Sequence, residues 1–116
     1  MEKQNPIKEK SLAFAFRMVD LNKHLLGQQE YVISKQVLAS GTSIGANVEE
    51  ANQAQSRKDF VSKMSIALKE AHETRFWLTL LHHGEYISSE GKESLLKDIR
   101  ELIALLTRII KTSKSH

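Results

Sequence analysis

From Phe60 to Leu81 the residues Phe60, Met64, Ala67, Ala71, Thr74, Leu78 and Leu81 recur at steps of four and three without a break. That spacing holds one face of a 3.6-residue helix over about six turns, and it scatters across both faces of a strand. The same rhythm returns at Phe14, Met18, Leu21 and Leu25, and again at Leu95, Ile99, Leu102, Leu106 and Ile109. One proline and five glycines are too few for the turns an all-β fold needs. The chain therefore reads as all-α. Short links between long helices make neighbours run in opposite directions, so the expected architecture is an antiparallel up-down-up-down four-helix bundle. Its 116 residues suffice for one domain, 1–116, around one core.

Local punctuation sets the helix limits. Asn5-Pro6 is a cap followed by proline at the first helical position, and Gly27 follows Leu25-Leu26, which predicts a helix over 6–26. A second helix is expected over 28–55. Ser56-Arg57-Lys58-Asp59 resembles a capping box with aspartate in place of glutamate and opens a third helix over 57–83, with Gly84 as its stop. Ser88 or Ser89 caps a fourth helix over 89–111, which leaves 112–116 as a flexible tail.

Composition removes several functional classes. Cysteine is absent, so disulfides, thiolate metal sites and cysteine nucleophiles are excluded. The first ten residues, MEKQNPIKEK, carry no apolar signal core, and no run approaches the roughly 18 apolar residues of a membrane span. A cytoplasmic protein with no membrane association is the expectation. No glutamate has a histidine three residues later, the pattern a helical di-metal centre uses, and the adjacent His82 and His83 cannot both face one ligand from a helix. With no nucleophile elbow or triad pattern either, the chain reads as non-enzymatic and without cofactor or metal.

The stretch SGTSIGANVEEANQAQS, Ser40 to Ser56, looks least like a plain helix. A phosphate loop would need GxxxxGK[ST] after a strand, and neither is present. Placed on the second helix, Ile33, Val37, Ser40, Ile44, Ala51 and Gln55 form an inward seam with Gly41, Asn47 and Val48 beside it. Each interior glycine costs roughly 1 kcal/mol of helix stability against alanine, so Gly41 and Gly45 imply that a neighbouring element comes close. Ser40, Gly41, Gly45, Asn47 and Ala51 are accordingly packing positions, with Phe14, Phe60 or Trp77 as the expected large partner. Asn47 needs a partner for its amide, expected across the bundle. Glu49 and Glu50 diverge by about 100°, too far for a paired acid and base, and one is expected to pair with Arg17 or Arg75.

Apolar residues exceed what one bundle interior needs. Leu12, Phe16, Val19 and Leu26 lie off the core phase of the first helix, as do Ile66, Phe76, Trp77 and Leu80 on the third and Leu96, Ile103 and Ile110 on the fourth. A contiguous apolar patch of that size is rare on soluble monomers. Leu12, Phe16, Val19, Ile66, Phe76, Trp77, Leu80, Leu96 and Ile103 are thus expected at a homo-oligomer interface.

The run SGTSIGAN-x-EEA from Ser40 to Ala51, the Asp59-Phe60 pair and the pattern IAxKEAxETxxWLxLL from Ile66 to Leu81 closely resemble a bacterial family encoded by intervening sequences within 23S ribosomal RNA genes. The resemblance covers nearly the whole chain. It implies a four-helix bundle assembled as a ring, a homopentamer, similar in fold to the accessory proteins of diversity-generating retroelements, which bind nucleic acid through a basic surface. No catalytic residue is implied.

Net charge bears on that expectation. The chain carries +3, and five copies would carry +15, enough to raise the potential wherever basic side chains converge. Arg57, Lys58, Lys63, Lys69, Arg100, Arg108, Lys111 and Lys114 are the candidates for contact with RNA or DNA. Glu30, Asp59, Glu73, Asp98 and Glu101 are interspersed as solvated acids. The alternative is a scaffold that recruits a protein partner and binds no nucleic acid.

Overall fold

The computed structural model describes residues 4–115 as four helices: α1 (Pro6–Gly27), α2 (Ile33–Asn52), α3 (Arg57–His83) and α4 (Ser89–Lys114). Residues 1–3 and 116 of the expected domain lie outside the described residues. Three helices start on side-chain caps. The Asn5 carboxamide oxygen accepts from Lys8 N at 3.2 Å, Ser56 Oγ from Asp59 N at 3.0 Å and Ser88 Oγ from Gly91 N at 3.0 Å. Each cap satisfies an amide that the first helical turn leaves without an acceptor.

Each helix packs on its chain neighbours, α1 on α2, α2 on α3 and α3 on α4, and α4 returns to α1 by the least intimate of the four seams. Lys8 at the start of α1 meets Glu49 at the end of α2, and Lys63 near the start of α3 meets Glu50. The helices therefore alternate in direction. Arg17 holds the looser seam: its guanidinium donates to Asp98 at 2.6 Å, to Ser94 Oγ at 2.9 Å and to the Ser94 carbonyl at 3.3 Å.

The core is the predicted seam. Phe14, Met18, Leu21 and Leu25 from α1, Val37, Ile44, Val48 and Ala51 from α2, Met64, Ala67, Ala71, Leu78 and Leu81 from α3, and Leu95, Ile99, Leu102 and Leu106 from α4 are buried together. Phe60 and Ile109 pack against them half-buried. Ile7 and Ile87 also belong to the core, as does Leu96, which was expected at an outer interface. Leu96 sits on the flank of α4 toward α3 and is covered there. Trp77 and Ile103 are likewise partly buried against the core.

Four boundaries differ from expectation, the end of α1 by the single residue Gly27. Helix two begins at Ile33, five residues late, because residues 28–32 form a turn. Gln29 takes the left-handed conformation with φ 63°, and the Glu30 amide reaches back to the Leu25 carbonyl at 3.0 Å, which closes the end of α1. Glu30 is buried, and its carboxylate accepts from Ser34 N at 2.6 Å and Val32 N at 3.3 Å, capping α2 where a solvated acid was expected. At the other end α2 stops at Asn52, so Gln55 lies outside the seam. Residues 112–114, expected as a flexible tail, continue α4. The left-handed residue after α3 is Glu85, with φ 66°, while Gly84 keeps φ −79°. Neither glycine that marks a helix end in the sequence supplies the turn.

Candidate nucleic-acid interface

The unusual stretch of α2 is built for contact. Ser40, Gly41, Gly45, Asn47 and Ala51 are all buried. A methyl group on Gly41 would overlap Cγ and Sδ of Met18, and one on Gly45 would lie 3.3 Å from the Ser11 carbonyl oxygen. The close neighbour is thus α1, through Met18 and the Ser11 backbone, and not Phe14, Phe60 or Trp77. Asn47 also departs from expectation: its amide donates to the Ser43 carbonyl at 2.9 Å within its own helix, which satisfies it without crossing the bundle. The polar link across the bundle is Ser40 with Thr74, whose hydroxyls lie 2.9 Å apart. Each hydroxyl also reaches a carbonyl of its own helix, Thr74 that of Glu70 at 2.8 Å and Ser40 that of Val37 at 3.4 Å. Among the described residues no buried side-chain polar atom lacks a partner.

The basic candidates separate by position and by partner. Because α3 and α4 are antiparallel neighbours, Arg57 and Lys58 in the first turn of α3 share one end of the bundle with Arg108, Lys111 and Lys114 near the end of α4. All five are exposed, and none makes an ion pair among the described residues. Glu9 in the first turn of α1, Asp59 in the first turn of α3, and Glu49 and Glu50 near the end of α2 are acids at the same end. Lys63 is half-buried and bound to Glu50 at 3.4 Å, and Arg100 is paired with Glu93 at 3.8 Å. Lys69 and Arg100 stand near mid-helix, away from the cluster. Glu49 and Glu50 take Lys8 and Lys63 as partners, not Arg17 or Arg75.

Such an end can do one thing well. Five flexible cations on two adjacent helix termini form a patch that phosphates can approach without displacing an internal carboxylate. Lys111 and Lys114 also lie in the last turn of α4, at the negative end of its dipole.

The opposite end carries a cleft of about 690 Å³ bordered by Arg17, His24, His82, Tyr86, Ser88 and Ser89. His82 Nε2 lies 3.0 Å from Ser89 Oγ, but among the described residues no carboxylate bonds the ring, and His24 Nε2 is engaged with the Tyr86 carbonyl at 3.0 Å. No group of three His, Cys, Asp or Glu residues able to hold a metal occurs among the described residues. Nor, among them, is any helix long and apolar enough to cross a membrane.

With the bundle and its small-residue helix in place, the family can be assigned. The model of the 23S rRNA-intervening sequence protein family matches residues 3–108. The chain belongs to that family. Among solved structures this 23S rRNA-intervening sequence protein is similar to a protein of unknown function from the S23 ribosomal protein family of Bacteroides thetaiotaomicron. The two are 57% identical with a TM-score of 0.89 over 90% of this chain and 98% of that one. No curated protein matches the chain. For this family member the basic end is the feature that chemistry can interpret.

Proposed function

We propose that the protein is a non-enzymatic helical bundle that assembles as a ring and binds RNA or DNA through phosphate contacts at its basic end. The observation that carries this reading is the gathering of Arg57, Lys58, Arg108, Lys111 and Lys114, all without internal ion pairs, at one end of the bundle. In a ring with bundles side by side, every copy would present that end to the same rim, and the potentials would add. The family resemblance favours five copies.

Two exposed apolar faces on separate helices support assembly. Leu12, Phe16, Val19 and Leu26 stand out from α1, and Ile66 and Phe76 from α3, with Phe16 at 62% and Phe76 at 56% exposure. These helices are diagonal in the bundle, so one copy can use both faces at once. Contacts between unlike faces build rings, whereas a self-complementary patch stops at a dimer.

Titration of the native assembly with a labelled structured RNA tests the binding. Binding at low salt should weaken as ionic strength rises, with a log–log slope that drops by about 0.7–0.9 for each phosphate contact removed by mutation. Absence of binding at about 50 mM salt would overturn the reading. A protein-recruiting scaffold is favoured by a different observation, the apolar tip Tyr31-Val32, at 61% and 72% exposure on the end away from the cations. Recovery of one stoichiometric protein after nuclease treatment would support it.

A further inference from the structure

The two outer stripes match each other in spacing, length and charge. On α1 the stripe is Leu12, Phe16, Val19, Lys23 and Leu26; on α3 it is Ile66, Glu70, Glu73, Trp77 and Leu80. Both follow steps of four, three, four and three, the 3.5-residue mean of a helix–helix seam. Both run over about 21 Å at 1.5 Å per residue. Each leans toward the α2 side of its helix. Leu12 borders a groove of about 230 Å³ with Thr42, Gly45 and Ala46 of α2. The α3 stripe continues, at steps of three and four, the flank on which Lys63 reaches Glu50 of α2. Two faces that both lean the same way meet at well under 180°, which turns successive copies around a circle instead of along a line.

Charge supplies the register. Lys23 is exposed in the α1 stripe and has no ion pair among the described residues, and neither Glu70 nor Glu73 has one in the α3 stripe. Glu73 is fixed, because Trp77 Nε1 donates to its Oε2 at 3.1 Å, and the Trp77 ring is braced edge-on by Phe76 at a centroid distance of 5.0 Å. Burial, with Glu73 adding repulsion, pushes the Glu70 carboxyl above its ordinary range, against a smaller opposing pull from Lys69. Neither carboxylate of this acidic pair is held by an ion pair among the described residues.

We infer that a second copy of the chain docks its α1 stripe against the α3 stripe, with Lys23 seated at Glu73 and Trp77. This interface rests on the ring reading above and specifies how the ring is joined. Helices α1 and α3 run the same way within one bundle, so copies related by rotation about a ring axis parallel to the bundle lay them parallel. Leu12 then faces Ile66, Leu26 faces Leu80, and the Lys23 ammonium meets the Trp77 face and the carboxylate of Glu73. The contact is between unlike faces, so each copy offers one donor stripe and one acceptor stripe.

Native mass measurement at micromolar concentration tests this with four single variants and one double variant, each checked for helicity by circular dichroism. Phe16→Asp disables only the α1 stripe and Ile66→Asp only the α3 stripe. Each alone should be monomeric, and an equimolar mixture should stop at a one-to-one heterodimer, since one intact pair of faces remains. Lys23→Glu and Glu73→Lys should each raise the protomer concentration needed for assembly at least tenfold, and the two together in one chain should restore it. A monomeric wild-type protein overturns the ring reading itself. An assembled wild type whose variants all still assemble, or a mixture that forms no heterodimer, overturns this interface and leaves the ring standing. Should an aspartate variant fail to fold, the charge exchange decides alone, and failure of the double variant to recover counts against the register.

Discussion

Replacing Gly41 by alanine sets two effects of opposite sign against each other. In a solvent-facing helix the change gains about 1 kcal/mol of intrinsic stability. Here the new methyl would overlap Cγ and Sδ of Met18, a fully buried side chain. Overpacking of that kind costs about 1–3 kcal/mol, and two overlapped heavy atoms in a closed core place it toward the upper end. The net expectation is a loss of about 1–2 kcal/mol, read as a lower urea midpoint with unchanged slope, at fixed protein concentration so that assembly does not shift it. A second measurement isolates the cause. Met18→Ala alone should cost about 2–5 kcal/mol through the cavity it opens, and adding Gly41→Ala should recover about 2 kcal/mol relative to the sum of the single changes. If Gly41→Ala stabilises the protein, or if the two changes add within about 0.5 kcal/mol, then Met18 is not what requires the glycine.

Gln29→Gly should raise stability by about 0.5–1 kcal/mol in a thermal melt, because it removes a left-handed non-glycine residue at a cost of some extra freedom in the unfolded chain; a loss would show that the side chain holds the turn. Thr74→Val should cost about 1 kcal/mol by leaving the Ser40 hydroxyl only its long 3.4 Å contact with the Val37 carbonyl, and adding Ser40→Ala should remove most of that cost, which chemical denaturation of the three variants measures. Glu70 has its folded-state pKa raised, so its ionisation works against folding: stability is greatest where the carboxyl is protonated and is lost as pH rises through the raised value. In a Phe16→Asp background that keeps protomers apart, Glu70→Gln should therefore stabilise at neutral pH, and the gain should vanish below the ordinary carboxylate range. An equal gain at pH 3 and pH 7 would refute that cause.

What could be read beforehand follows from what a single helix encodes. The seam from Phe60 to Leu81 was legible because burial on one face imposes a period, and a period survives without knowledge of the neighbour. The start of α2 was not, since it depends on the Glu30 carboxylate folding back onto Ser34 N, a choice among turn geometries that composition leaves open. Gly41 announced a close approach without naming Met18, because one helix's phase does not say which residue of another stands at its height. Asn47 was misplaced for a similar reason: an amide that bonds back to the Ser43 carbonyl leaves no trace distinct from one that bonds across. At the basic end, Arg57, Lys58, Lys111 and Lys114 could be gathered once helix direction was known. The ion pairs that occupy Lys63 and Arg100 required side-chain geometry.

The antiparallel order places the entry to α1 and the exit from α4 at the same end of the bundle. That is also the end where Arg57, Lys58 and Lys111 stand. A polypeptide joined before α1 or after α4 is therefore tethered to the end of the bundle that carries the cationic patch. An acidic tag would compete there with phosphate as an intramolecular decoy, and a bulky one would shield it. Binding assays on terminal fusions would then report the tag as much as the protein, whereas a label carried on the Tyr31-Val32 turn at the far end would leave the patch open.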